Sequence, residues 1–509
     1  MLNVKRFACL VAVLVVLVSV MSSASAFAQT QYQGPIPKYV FLFIGDGMSF
    51  PQVSSAEMFL GNLNSTGTID TQMLNFSKFP VAGAAQTFDA SSFVPDSAST
   101  ATSVASGIKT LSGVINMDVT KSVAVTPFSE ALKKMGYKIG VVSSVPLNHA
   151  TPAAFYAKVP HRGMAYDISL QAIHSGFDYF GGGDFMRPEG DGTQRHILDV
   201  ARDYGYTVAQ TNEEILALNA NSGKAIAINP ILDGQALNYE LDRKPGELGL
   251  VDFVKTGIQV LDNPRGYFLM VESGKIDWAG HANDAAASIR DTIAFSQAIE
   301  EAVKVYNNYP NDTLIIVTGD HECGGMTIGF AGTGYRTFFQ VIERVTMSHR
   351  EFNKIVNNYR STNSKTDAKL EHLLPQIRIA YGLVTEDDPN ANEYSEGILT
   401  DSELQRLRDA LAQTMTPRDE RNYTDRERIM YGGYEPLTIA LTHIVNNKAG
   451  LNYSSFAHTG LPVPIYAIGA GSELFTGFYD NTDIYRKVVQ IMGIANSNVP
   501  DTLRVASGL

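Results

Sequence analysis

The sequence predicts an α/β fold: a doubly wound, mostly parallel sheet flanked by helices, with a helical cap insertion. Three observations carry this. Short apolar runs bounded by turn residues recur along the chain, and amphipathic stretches at helical spacing lie between them. Strands that alternate with helices build parallel sheets covered on both faces. One charge-rich helical block without strand-like runs, residues 336–451, interrupts the alternation before it resumes near Ser454.

In chain order, the strand-like runs are Tyr39 to Ile44, Lys138 to Ser143, Gly266 to Val271, Thr313 to Val317 and Val463 to Ile468. Phe295, Ile299, Ala302 and Tyr306 mark one face of a helix. Gly181 to Gly183 reads as a glycine-rich turn. In the block 336–451, the patterns Ser348 to Glu351 and Thr400 to Glu403 predict capping boxes. The cap should sit on the sheet's ligand edge, because ligands gather at the carboxyl ends of strands in doubly wound sheets. Asp46, Glu272 and the pair Asp320-His321 fall at three such ends.

The chain's 509 residues, 44% hydrophobic and 18% charged, suffice for a large core and exclude disorder. A net charge of -12 repels phosphate backbones and anionic lipid, so no nucleic-acid partner is expected. At the start, Lys5 and Arg6 precede an apolar run from Phe7 to Val20 and an Ala26-Phe27-Ala28 cleavage pattern. The run is shorter than the roughly 20 residues that span a bilayer. Residues 1–28 therefore read as a signal peptide, leaving 29–509 as the mature chain, periplasmic or secreted, without a stable membrane anchor. Cys9 leaves with it, so Cys323 stands alone, no internal disulfide forms, and Cys323 reads as a small buried residue.

Asp277, His281, Asp320, His321 and His458 are oxygen and nitrogen donors of the kind that bind zinc, with Asp46 and Glu272 near them in the strand order. Asp277 and His281, four residues apart, share one face of a helix, a spacing that exposed polar pairs also show. Ser97 follows Val94-Pro95-Asp96 and precedes small residues that can form a helix, which places a hydroxyl at a helix N-terminus where amides and dipole favour anions. Asp96 or Ser97 as a plain cap fits the same local sequence. The surroundings contain neither a G-x-S-x-G elbow nor the Gly-Lys of a P-loop, which leaves metal as the activator of the hydroxyl.

Six blocks, Phe43-Ile44-Gly45-Asp46-Gly47-Met48, Asp96-Ser97-Ala98, Thr151-Pro152-Ala153, Glu272 to His281, Thr318 to His321 and His458-Thr459-Gly460, resemble the alkaline phosphatase family in composition and order. The resemblance implies a phosphate monoester hydrolase of broad specificity that scavenges phosphate outside the cytoplasm through a phosphoserine on Ser97. It implies two zinc ions, one on Asp277, His281 and His458 and one on Asp46, Asp320 and His321. It also implies a magnesium ion on Asp46, Thr151 and Glu272, replaceable by another divalent ion because His149 lies close by in sequence. Arg162, eleven residues after Thr151, matches the family's phosphate-binding arginine, and Asp96 and Ser97 would share in binding substrate. His149 and Trp278 sit at two positions that vary in the family. A homodimer is the implied assembly. A phosphodiesterase of the same superfamily and a non-catalytic phosphate- or metal-binding protein are the alternatives. Diesterases of this kind lack the third metal site, and retention of Ser97 and Arg162 opposes a pure binder.

Overall fold

The computed structural model describes residues 32–495 apart from 64 and 66. The signal-peptide reading lies outside the described residues, among which no helix is long and apolar enough to cross a membrane. Fourteen strands run through the described residues: β1 (Tyr39–Gly45), β2 (Val81–Gln86), β3 (Lys138–Ser143), β4 (Tyr179–Gly182), β5 (Tyr206–Ala209), β6 (Lys224–Ile228), β7 (Tyr267–Ser273), β8 (Thr313–Gly319), β9 (Glu322–Cys323), β10 (Thr327–Ile328), β11 (Leu451–Asn452), β12 (His458–Thr459), β13 (Val463–Gly469) and β14 (Gly477–Asp480). Ten of them form one sheet in the order β14-β2-β13-β8-β1-β7-β3-β4-β6-β5. The sheet is mostly parallel, as the alternating pattern predicts, and only β13 runs against its neighbours β2 and β8.

The central strand β1 explains why the sheet needs helices on both sides. Its side chains alternate: Phe41 and Phe43 enter one apolar core with Phe295 and Ile299 of the helix Ala285–Asn308, while Val40, Leu42 and Ile44 enter another with Ala98, Ala101 and Ala105 of the helix Ser97–Ser106. In that second core Phe268 of β7 packs against the rings of Phe128 and Phe155, with centroids 5.0 and 6.1 Å apart.

All five expected strands form, and five further strands of the sheet lie outside the strong apolar runs. The turn expected at Gly181 to Gly183 is a correction. Gly181 and Gly182 close β4, and Gly182, at φ 124°, allows the Ser143 carbonyl of β3 to approach where any Cβ would collide with it.

Between β10 and β11, which pair antiparallel, the block 336–451 folds into helices, among them His349–Thr362, Asp401–Thr414, Asp425–Tyr431 and Pro436–Ala449. Thr400 and Glu403 form the expected capping box. Ser348 caps its helix, but Glu351 does not return the bond, because Asp242 from the loop after β6 accepts from both Ser348 N and Ser348 Oγ. Phe352, Leu407 and Leu441 of these helices belong to the same apolar cluster as Phe41 and Phe43, so the helical block shares the core of the sheet.

Phe268→Ala should remove about 3 to 5 kcal/mol of stability by emptying a fully buried aromatic site. Urea unfolding measures this; a loss below about 1 kcal/mol would contradict the packing described.

Candidate metal centre

Strand register builds the site. Ile44 lies between Glu272 and Thr318, and Gly45 between Ser273 and Gly319. Asp46 and Asp320 therefore leave adjacent strands at the same level, one residue beyond the pairing, with Glu272 beside them. The helix Lys275–His281 starts directly after β7 and carries Asp277 and His281 on one face. β9 turns back behind Asp320-His321 and pairs with β12, which delivers His458 opposite Cys323 from far along the chain. Gly47, at φ 72°, is required here: a Cβ would fall 2.7 Å from Asp277 Cα.

Three donor sets result, Asp277 with His281, His458 and Cys323; Asp46 with Asp320 and His321; and, sharing Asp46 with the second, Asp46 with His149 and Glu272, each with its donor atoms within 4.8 Å of one another. Thr151 joins the third set by donating to Asp46 Oδ2 at 3.4 Å. His281 Nε2 lies 3.4 Å from Asp277 Oδ2 and 3.2 Å from His458 Nε2. His321 Nε2 lies 3.2 Å from Asp320 Oδ2 and 3.4 Å from Asp46 Oδ1. Four ligands at about 2.0 to 2.1 Å around a tetrahedral cation are about 3.3 Å apart, so these spacings match those a bound cation would need.

Proton placement favours the same reading. His281 Nδ1 and His458 Nδ1 donate to the carbonyls of Phe456 (2.6 Å) and Pro95 (2.7 Å), which turns both Nε2 atoms into the cluster. Asp46 Oδ1, Glu272 Oε1, Asp277 Oδ1 and His149 Nδ1 are buried without a hydrogen-bond partner. Burial and the neighbouring carboxylates push Asp46 well above the usual carboxylate range, while burial, with Asp320 adding to it, lifts Glu272 to about 7. Burial raises Asp320 to about 6, with Asp277 adding to it. Burial opposes ionisation of Asp277 too, but His281 and His458 hold it well below its ordinary value. This much buried negative charge fits bound divalent cations.

Ser97 opens its helix beneath Asp96, which accepts from Ser99 N, and Ser97 Oγ lies 3.1 Å from His321 Nε2. Arg162 donates through NH1 to Asp96 Oδ2 at 2.9 Å and meets His149 Nε2 through NH2 at 3.1 Å. Burial and the Arg162 charge push His149 down to about 3, so it is a neutral imidazole. Trp278 presents its ring edge-on to His149, centroids 6.2 Å apart.

Sequence reasoning missed the groups that hold these donors. Ser143 Oγ donates to Glu272, and Thr100 Oγ1 donates to Asp320 Oδ2 at 3.2 Å. Thr100 is three residues after Ser97 on the same helix face, the one available signal. Buried Glu322 accepts from Gln52, from the backbone of Gly325 and Met326, and from Thr459, tying the β9 turn to β12. Cys323 is buried as expected, yet it also stands within the first donor set.

A doubly wound sheet with adjacent carboxylate and imidazole sets at its carboxyl edge, and the hydroxyl of a helix's first residue among them, defines a metal-binding hydrolase. The family pattern described as Alkaline phosphatase matches residues 37–494, and the chain belongs to the alkaline phosphatase family. Alkaline phosphatase 3 of Bacillus subtilis is 28% identical over 465 residues, 89% of each chain. Alkaline phosphatase 4 of Drosophila melanogaster is 30% identical over 345 residues, 58% of each. Among solved structures, the Thermus thermophilus alkaline phosphatase superposes with a TM-score of 0.74 at 23% identity, covering 92% of this chain and 94% of its own. The cold-active enzyme of Shewanella sp. superposes at 0.72 and 24%, covering 89% and 99%.

Because Trp278 is the sole tryptophan and abuts His149, chelation should shift its emission and re-added divalent ions should reverse the shift. An emission spectrum unchanged after complete metal removal would contradict this arrangement.

Proposed function

We propose that this alkaline phosphatase hydrolyses phosphate monoesters through a phosphoserine on Ser97, with broad specificity, to scavenge phosphate in the periplasm or after secretion, as a homodimer. Asp277, His281 and His458 would hold one zinc ion, and Asp46, Asp320 and His321 a second. Asp46, Thr151 and Glu272 would hold magnesium, or a softer divalent ion where the His149 imidazole joins the set. An alkaline phosphatase of the Antarctic bacterium TAB5 carrying a histidine-to-glutamate change has Mg bound in its M3 site, whereas this chain keeps His149 in its third donor set. When bound, the ions neutralise developing charge and acidify the serine hydroxyl and water.

The observation that carries the reading is the convergence of Ser97 Oγ, 3.1 Å from His321 Nε2, with the Arg162 fork held by Asp96 and His149. Ser97 Oγ attacks phosphorus in line, forming the O–P bond as the bond to the leaving alkoxide breaks. Arg162 holds equatorial phosphoryl oxygens, and its planar fork is already oriented. Amides at the N-terminus of the helix Ser97–Ser106 favour the incoming dianion. Thr100 and Ser143 keep Asp320 and Glu272 from turning. Water then attacks from the vacated side, returning Ser97 as a hydroxyl and releasing phosphate.

With p-nitrophenyl phosphate, turnover should hold or rise above neutral pH. Ser97→Ala should lose roughly a thousandfold or more while keeping its metal content, and chelation should abolish activity until zinc and magnesium return. Metal binding without turnover would leave the binding-protein reading. Arg162→Lys should raise KM about tenfold or more by losing the bidentate fork. Bis(p-nitrophenyl) phosphate should be the poorer substrate; the reverse order would favour a diesterase.

A further inference from the structure

The helical block contains a cavity of about 590 Å³ that the phosphoryl chemistry does not use. Asn353, Asn357 and Arg360 line it from one face of the helix His349–Thr362, at i, i+4 and i+7. Arg418 and Arg421 face them from the segment after the helix Asp401–Thr414. Glu435 is the one carboxylate in the lining, and it lies 3.3 Å from both Arg360 and Arg421. Three guanidinium groups against one carboxylate leave the cavity cationic in a chain of net charge -12.

The donors differ in how far they are used. Arg421 is spent on the carbonyls of Thr414 and Thr416, on Tyr423 and on Glu435, so it is a structural floor. Arg418 is exposed and makes one bond, from NH2 to the Gly433 carbonyl at 3.2 Å, which leaves most of its fork available. Asn353 and Asn357 accept from Thr438 and Arg360 through their side-chain oxygens, so these bonds do not use their amide N–H groups.

One wall is shared with the metal centre. Gly432, Gly433 and Tyr434 line the cavity, and the Tyr434 ring stacks on Phe456, centroids 5.7 Å apart. The Phe456 carbonyl accepts from His281 Nδ1. Gly432 packs against the same Phe456 ring, where a Cβ would fall 2.3 Å from it, so this wall of the cavity lies directly behind the residue that orients His281.

Resting on the phosphomonoesterase reading, we propose that this cavity is a leaving-group subsite taking the anionic far end, phosphate or carboxylate, of an extended phosphate monoester. A ligand reaching from Ser97 past His281 and Tyr434 is long, so compact bisphosphates gain nothing and longer ones gain until their second charge meets Arg418.

The test uses a series of 1,n-alkanediol bisphosphates against the matching alkyl monophosphates, with p-nitrophenyl phosphate as reference, on the zinc- and magnesium-loaded protein. The ratio of kcat/KM, bisphosphate over monophosphate, should peak at one chain length at about tenfold, the worth of one charge-assisted contact, beyond the statistical gain of two equal ends. Arg418→Gln should flatten the peak and Arg418→Glu invert it, both through KM, with p-nitrophenyl phosphate turnover unchanged. A wild-type ratio without a peak at any length, or a peak that survives Arg418→Glu, overturns the subsite. Failure of the wild type to turn over p-nitrophenyl phosphate overturns the phosphomonoesterase reading itself, and so separates the two failures.

Discussion

The constraint on which the structure depends is the burial of like charge. Asp46, Glu272, Asp277 and Asp320 are almost fully excluded from water within one cluster, and water cannot screen them. The protein groups beside them offset only part of that charge: Arg162 pairs with Asp96, and the His458 imidazole, which the hydrogen bond and charge of Asp277 lift to about 9 against burial, lies 3.4 Å from Asp277 Oδ1. Such a cluster suits multivalent cations, and neighbouring hydroxyls hold its carboxylates in place. Thr100, Ser143 and Thr151 each donate to one of its carboxylates, which restrains their rotation.

The sheet supplies the precision this requires. Parallel strands in register end at one level, so Asp46, Glu272 and Asp320 need no loop to bring them together. His458 comes from a short strand pair instead, and Glu322 secures that pair with four hydrogen bonds, two of them to backbone amides of the turn. A buried carboxylate so fully satisfied rigidifies its surroundings, which is what a ligand delivered from a distant segment needs.

These two levels differ in how far they could be read from sequence. The central strands β1, β3, β7, β8 and β13 announce themselves as continuous apolar runs because both faces are covered. β2, β4, β5, β6 and β14 do not: VAGAAQ and YFGG are rich in small residues, and Gly182 looks like a turn residue when its role is to admit the Ser143 carbonyl. The donor residues were legible because several fall at strand ends or at helical spacing. Ser143, Thr100, Gln52 and Glu322 were not, since a polar side chain gives no hint of a partner far away in sequence. Ser348 shows the same limit: its local pattern predicts that Glu351 accepts from the Ser348 amide, and Asp242, a hundred or so positions earlier, accepts from it instead.

The helical block is coupled to the centre by the same kind of buried polar chemistry. Arg406 donates to His443 Nδ1, which fixes the proton of that neutral imidazole on Nε2, where it donates to Asn283 Oδ1. Asn283, held at φ 50°, passes its own amide protons to the carbonyls of Gly280 and Ser455. Those carbonyls neighbour His281 and Phe456, the two ends of the bond that orients the His281 ring. A left-handed asparagine costs backbone energy, and here its hydrogen bonds offset that cost by fixing the end of the helix Lys275–His281. The helices of 336–451 are therefore not an appendage resting on the sheet: their side chains help determine where an imidazole nitrogen points at its carboxyl edge.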